Sequence, residues 1–327
     1  MRIGIIGAGA VAPLHAQGAA SIEGMTLTAV CDLNLERAAA VAAEWGAAVF
    51  TDYRELLASG LVDAVVVNTP HSLHTEMVLA AAASGIHVLV EKPMATTLAD
   101  CQLMEDACER FGVVLVIGQI QHFLPEKTAM AQALATGEMG QVLMIHDYRS
   151  TDYRPGHRSA WFFDREVSGG GAFINIGAHC LDRSLWMGGA RAASISATNR
   201  NRFGSPVETD GAMELELANG VQVRIFIASD APRHLDEIMV VCEHGLVSAD
   251  PRTGTFVRRD GVTTQIHESS PSDIQTAFTA QLADFASVVA GGQPAVSTAH
   301  ARHVVELVLQ SYESAARGEA VALAVPA

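Results

Sequence analysis

Short runs with almost no polar positions recur through the first third of the chain, at residues 2–6 (RIGII), 26–31 (TLTAVC), 62–67 (VDAVVV), 86–90 (IHVLV) and 113–117 (VVLVI). Between them lie Ala-rich segments at 34–44, 72–83 and 97–111 with helical content. Strands that spare few positions for water, alternating with helices, predict a parallel sheet covered on both faces. The first part of the chain therefore reads as a doubly wound α/β domain over residues 1–121.

The pattern changes after Gly118. Helices are predicted near 125–136, ended by Gly137, and over 171–187, ended by Gly188 and Gly189. Alternating segments follow at 192–199, 212–218, 221–228, 237–242, 246–249 and 255–258. Turn pairs such as Asn219-Gly220 and Asp260-Gly261 separate some of them, which predicts an antiparallel sheet. Two helices close the chain, near 273–290 and 298–317. The second domain is expected to be α+β, with a large, mostly antiparallel open sheet over 122–327. The tight boundary near 119–123 predicts a cleft shared by the two domains.

Composition narrows the function classes. The chain has 327 residues, 49% apolar and 17% charged, with a net charge of −15. Apolar content this high provides for buried cores. The acidic balance argues against a nucleic-acid partner and against docking on anionic lipid. The N-terminal run is broken by Gly4, Gly7 and Gly9 and reads as a strand and turn rather than a signal segment. The window from Met77 to Val90 contains Ser84, Gly85 and His87, short of the ~20 clean apolar residues of a membrane span. Five dispersed cysteines without a C-x-x-C pair predict reduced, buried thiols. A cytoplasmic protein is expected. No metal site is expected either, because the pair His300-x-x-His303 has no further ligand set and reads as a solvated helix face.

After the first strand comes Gly7-Ala8-Gly9-Ala10-Val11-Ala12, a G-x-G-x-x-A turn leading into a helix. Asp32 ends the second strand, 20 residues after Ala12. This spacing fits dinucleotide binding: Gly7 for the tight turn, Gly9 for close approach of a pyrophosphate, Ala12 for helix–strand packing, and Asp32 for the adenine ribose hydroxyls. Leu33 and Asn34 offer no cation for a ribose phosphate, so NAD is expected over NADP.

Glu91-Lys92-Pro93 follows the fifth predicted strand, at the carboxyl end where doubly wound sheets bind ligands. A lysine there can stabilise alkoxide character on a substrate hydroxyl, although a strand-end lysine is also commonly just solvated. Asn175 and His179, four apart after Gly169-Gly170-Gly171, would share one helix face. His179 there is either a general base or a core histidine with a packing asparagine. The segment Tyr148 to Trp161 either lines a substrate pocket, contacts a nicotinamide or simply covers a cleft.

In this order and spacing the motifs resemble the Gfo/Idh/MocA oxidoreductases, whose pattern joins the glycine turn to T-P-N-x-x-H, E-K-P and G-G-G-x-x-x-D-x-G-x-H segments. Here these are Gly7 to Ala12, Thr69-Pro70-His71-Ser72-Leu73-His74, Glu91-Lys92-Pro93 and Gly169 to His179. The resemblance implies that Lys92 and His179 are the catalytic pair, with Asn175 orienting substrate and base. It implies cofactor contacts at Gly7, Gly9, Ala10, Val11, Asp32, Thr69, Pro70, His74, Glu91, Lys92, Gln119 and Trp161. Substrate contacts are implied at His122, Arg149, Tyr153, Asn175 and His179.

The chain departs from the family pattern at three positions. Asn175 stands where many members have Asp, His71 replaces a usual Asn, and His122 replaces an Arg facing the substrate. Arg149, Arg154 and Arg158 lie nearby in sequence as substitute cations or as solvated surface. The resemblance implies hydride transfer between a nicotinamide cofactor and a secondary alcohol or ketone of a sugar, cyclitol or sugar derivative. It also implies a homodimer or homotetramer through the C-terminal sheet. Two alternatives stay open: a glycosidase that retains NAD, and a non-catalytic cofactor sensor.

Overall fold

The short apolar runs of the first part are strands in the computed structural model, as expected of strands buried on both sides. It describes residues 1–229 and 234–324. The elements of the first part are β1 (Arg2–Ile6), α1 (Ala12–Ala20), β2 (Thr26–Cys31), α2 (Leu35–Ala43), β3 (Ala48–Phe50), α3 (Tyr53–Ala58), β4 (Ala64–Val67), α4 (His74–Ala83), β5 (His87–Glu91), α5 (Leu98–Phe111) and β6 (Leu115–Gly118). The six strands are parallel in the order β3-β2-β1-β4-β5-β6. That is the dinucleotide-binding order, with its switch point between β1 and β4. All four residues of β4 are fully buried, as a central strand covered on both faces requires.

The second part contains α6 (Pro125–Ala135), β7 (Val142–Thr151), α7 (Arg165–Ser168), α8 (Ala178–Gly188), β8 (Ala192–Arg200), β9 (Asp210–Leu217), β10 (Gln222–Ser229), β11 (Asp236–Cys242), β12 (Gly245–Asp250), β13 (Gly254–Arg259) and β14 (Val262–His267). The chain ends in α9 (Asp273–Val289), α10 (Thr298–Arg317) and β15 (Val321–Ala322). Nine strands form one sheet in the order β14-β13-β12-β11-β7-β10-β9-β8-β15. Every pairing is antiparallel except β7 with β10. α8 packs on the inner face, where Ile145, Leu181, Leu185, Ile225 and Ile238 share one core.

The strand β7 escaped the sequence reading because its inward positions are charged. Asp147 is fully buried, yet Arg183 Nε and Nη2 donate to its two oxygens at 2.7 and 2.6 Å. Arg183 also binds Asp236. Burial alone would raise the Asp236 carboxyl, but Arg149, Arg183 and Lys127 hold it well below the usual carboxylate range. The edge strand β14 was missed for the opposite reason, since five of its six residues are exposed. β3 and α3 were too short for a periodic signal.

The chain divides differently from the expected boundary. One compact unit comprises Met1–Phe123 with Ile274–Arg302, and the other Leu124–Asp273 with His303–Ala327. The return of residues 274–302 to the first unit has a packing cause. Leu282 and Phe285 enter the core formed with Ala16 and Ala19. Gly18 leaves the room, since a Cβ there would lie 3.0 Å from Leu282 Cδ1. The amphipathic pattern of α9 states that one face is buried but not against which sheet. Among the described residues no helix is long and apolar enough to cross a membrane. All five cysteines are free and buried, and burial pushes the Cys31 thiol up to about 12.

Candidate active site

In the first unit the glycine turn has the geometry its motif requires. Gly7 has φ +98°, and a Cβ there would lie 2.8 Å from the Asn68 carbonyl. Gly7 N–H donates to Cys31 O at 2.8 Å. At Gly9 a Cβ would meet nothing within 4 Å, and Gly9 and Ala10 are exposed. Val11 is half-buried and precedes the first residue of α1. The open space above Gly9, just before the N-terminus of α1, fits the close approach of a cofactor pyrophosphate.

Asp32 does more than the motif states. Its Oδ2 accepts from Ala8 N–H at 2.9 Å, so it braces the glycine turn itself. Its Oδ1 accepts from Asn34 N–H at 2.8 Å and from the Arg37 guanidinium at 2.8 Å. Leu33 and Asn34 supply no cation, as expected, but the first turn of α2 carries Arg37 back to Asp32. A carboxylate offers about four lone-pair sites, so room for a ribose hydroxyl remains. At the end of β4, both polar atoms of Asn68 are buried without a hydrogen-bond partner among the described residues. Asn68 went unnoticed in the sequence, although its place between a central strand and Thr69-Pro70 is a signal. Gln119 is 1% exposed, with Oε1 likewise unpartnered among the described residues. These orphaned groups at strand ends also fit a bound dinucleotide.

The Thr69 and Pro93 loops are tied by one side chain. His74 Nδ1 lies 3.0 Å from Pro93 O, and Nε2 lies 3.0 Å from Thr69 O. His74 is fully buried, which lowers its pKa. His74, expected at the cofactor, is a strut between these two loops. Thr69 and Pro70 are half-buried, as are Glu91 and Lys92. The Lys92–Pro93 bond is cis. Glu91 Oε1 lies 2.9 Å from Nε2 of His15, a buried histidine on α1 that the sequence reading overlooked. His122 is half-buried and meets the His300 ring edge-on, with centroids 5.4 Å apart.

In the second unit the expected uniform helix over 171–187 is interrupted. Phe173–Gly177 is π-helical, with Ala178 N–H donating to Phe173 O, and α8 follows. Local widening of this kind is frequent at functional sites. Its start is fixed by Glu208, whose Oε1 accepts from Gly171 and Phe173 N–H, both at 2.9 Å, and from Tyr312 at 2.7 Å. Gly171 is required for this approach, since a Cβ would lie 2.1 Å from Glu208 O. Burial raises the Glu208 carboxyl, against these bonds. Asn175 in the π turn is 6% exposed and His179 in α8 is 9% exposed.

Tyr153, expected at the substrate, is fully buried in the protein. Its hydroxyl donates to Phe162 O at 3.2 Å and is hydrogen-bonded to the Asn175 side chain. It therefore supports Asn175. Arg149 lies 3.7 Å from Asp236, with Nη1 buried and unpartnered among the described residues. Arg154 binds both oxygens of Asp152, at 2.7 and 2.9 Å. Arg158 donates to Asp152 O at 2.8 Å and Thr151 Oγ1 at 2.6 Å. Neither is a simple solvated cation. Trp161 is half-buried and stacks on Phe162 at 3.8 Å between centroids. His303, expected on a solvated face, is 3% exposed, with Nε2 accepting from Ala192 N–H and Nδ1 against Glu306.

Comparison with known proteins agrees with this geometry. Residues 1–119 match the model of the oxidoreductase family with an NAD-binding Rossmann fold, and residues 128–248 match the GFO/IDH/MocA C-terminal domain. The rhizopine catabolism protein MocA of Rhizobium meliloti is 27% identical over 323 residues, covering 91% of this chain and 89% of that protein. Inositol 2-dehydrogenase 2 of Saccharopolyspora erythraea is 31% identical over 270 residues, 80% of this chain and 77% of its own. The crystal structure of GenD2 from gentamicin A biosynthesis, in complex with NAD, has a TM-score of 0.89 at 24% identity, covering 99% of this chain and 97% of that one. The chain thus belongs to the GFO/IDH/MocA family, as an NAD(P)-dependent dehydrogenase or reductase.

Proposed function

We propose that the chain oxidises a secondary hydroxyl of a sugar, cyclitol or sugar derivative with NAD, or runs the same reaction in reverse. The observation that carries this reading is the π-to-α junction. Within five residues it presents a carboxamide and an imidazole, on a helix whose start Glu208 fixes and whose Asn175 is held by Tyr153. Relatives named as inositol and glucoside dehydrogenases support the substrate class.

In this reading Gly9, Ala10 and Val11 hold the pyrophosphate, Asp32 the adenine ribose, and Asn68, Thr69, Pro70, Glu91 and Gln119 the remainder of the dinucleotide. The bound cofactor supplies the hydride acceptor. His179 takes the hydroxyl proton on a ring nitrogen, because a neutral imidazole accepts protons near neutral pH. Lys92, at the carboxyl end of β5, is the cation this reading assigns to stabilise developing negative charge on a substrate oxygen. Asn175 orients the substrate through its carboxamide. It carries no charge, so the imidazolium formed at His179 receives no ionic stabilisation from it. Burial of Asn175 and His179 limits competing water.

The test is purified protein with NAD, and separately NADP, and a panel of inositols, aldoses and sugar acids. Multiple turnovers giving equal amounts of reduced nicotinamide and ketone support the reading. Release of a leaving group without net reduced nicotinamide would instead identify an NAD-retaining glycosidase. Cofactor binding without turnover in either direction would identify a sensor.

A further inference from the structure

Three side chains that the dehydrogenase reading leaves unused come together in the second unit. Glu126 is the second residue of α6, His267 the last of β14, and Asp273, six residues on, the first of α9. One oxygen or nitrogen of each lies within 4.8 Å of the other two. His267 Nε2 is 3.0 Å from Asp273 Oδ2. Part of this has an ordinary explanation. Ser270 N–H donates to Asp273 Oδ2 at 3.0 Å, and Asp273 N–H donates to Ser270 O at 3.0 Å, a helix-capping arrangement.

Capping accounts for Asp273, to which His267 is bonded, but not for Glu126. That residue is 1% exposed. Its Oε1 lies 3.3 Å from Lys127 Nζ, whereas Oε2 is buried with no hydrogen-bond partner among the described residues. A buried carboxylate oxygen is costly unless something positive meets it. Thr255 Oγ1 donates to Glu126 O at 2.7 Å and fixes the backbone that aims it.

We propose that Glu126, His267 and Asp273 form a divalent transition-metal site of the zinc or manganese class, joining α6, the end of β14 and the start of α9. One imidazole and two carboxylates suit those ions, whereas magnesium and calcium favour all-oxygen sets. Ligands about 2.1 Å from a tetrahedral zinc stand roughly 3.4 Å apart, so small side-chain rotations close the present spacing. With Lys127 protonated, two carboxylates and one ammonium leave a net negative site. The His267 and Asp273 side chains, 22% and 16% exposed, give the ion an entry path and room for water ligands. The sequence hides this set because 141 residues separate Glu126 from His267. The site is independent of the dehydrogenase reading.

The test uses the full chain, stripped with chelator and titrated with zinc chloride, manganese chloride or magnesium chloride by calorimetry and thermal melting. The site predicts one zinc per chain, a melting temperature that rises with zinc, and a weaker response to magnesium. Glu126→Gln and His267→Gln should each weaken zinc binding by more than about tenfold. His267 is partly exposed, so its variant keeps a folded comparison available. No stoichiometric binding, magnesium binding as tight as zinc, or unchanged zinc affinity in either folded variant would overturn the proposal.

Discussion

His15 Nε2 stands 2.9 Å from Glu91 Oε1, so a buried imidazole on α1 holds the carboxylate that immediately precedes Lys92. This links the first helix of the nucleotide fold to the strand end expected to carry the reaction. His15 does not itself reach the substrate in this account; it positions. His15→Ala should lower kcat by about ten- to a hundredfold through misplacement of Lys92, with a smaller change in KM and part of the loss restored by His15→Gln. Steady-state kinetics beside thermal melts separate the roles. A lower melting temperature with unchanged kcat would make His15 a packing residue only.

The catalytic pair should respond differently from the scaffold. Lys92→Ala should reduce kcat about 10²–10³-fold, and His179→Ala about 10²–10⁴-fold. Cofactor dissociation constants, read by nicotinamide fluorescence, should change little in His179→Ala. Full activity of His179→Ala across the pH range would remove it as the base.

Arg37 changes how Asp32 is read. Its guanidinium is engaged by the carboxylate at 2.8 Å, and Asp32 itself would repel a ribose phosphate brought to that place. Asp32→Gly should release the guanidinium and shift the NAD-to-NADP ratio of kcat/KM towards NADP by about ten- to a hundredfold, the value of one charge-assisted hydrogen bond. In the double variant Asp32→Gly with Arg37→Ala the gain should disappear. An unchanged ratio in Asp32→Gly would remove Asp32 from the ribose site.

Burial of His74 sets a pH dependence. Its folded pKa is lowered below the unfolded value of about 6.5 by desolvation, so the unfolded chain binds more protons between the two. This contribution leaves stability intact above about pH 6.5 and erodes it as pH falls, by at most about 1.4 kcal/mol per pH unit. Urea melts near pH 8 and near pH 5 should show a smaller acid loss in His74→Gln than in the wild type. An equal loss would mean that other groups govern the acid limb.

Glu208 is expected to matter through the helix it starts. Glu208→Ala strands two buried N–H groups and the Tyr312 hydroxyl, which should cost about 2–4 kcal/mol in denaturant unfolding. Glu208→Gln, which keeps an acceptor, should recover most of it. Equal stability of all three proteins would show that the Glu208 bonds contribute nothing net.

The parts of this picture visible in the sequence are those set by local rules. Apolar runs gave the parallel strands, and the turn Gly7 to Ala12 stands between β1 and α1 with Asp32 beside it, as its motif predicts. What stayed hidden depends on partners distant in the chain. β7 is a strand despite Asp147 and Arg149 because Arg183 and Asp236 neutralise its inner face. α9 joins the first unit because Leu282 and Phe285 complete a core begun near Ala16. His15, Glu208 and Tyr153 carry no motif, and their roles follow from Glu91, Gly171 and Asn175. The π turn at Phe173–Gly177 has no periodic signature that a helix pattern reveals.

The central claim is hydride transfer from a carbinol carbon, and isotopic labelling tests it most directly. A panel substrate deuterated at that carbon is turned over with NAD, and the reduced cofactor is analysed by mass spectrometry and NMR. The account predicts one deuterium on the nicotinamide ring for each ketone formed. Deuterium lost to solvent, or product formed with no label on the cofactor, would contradict it.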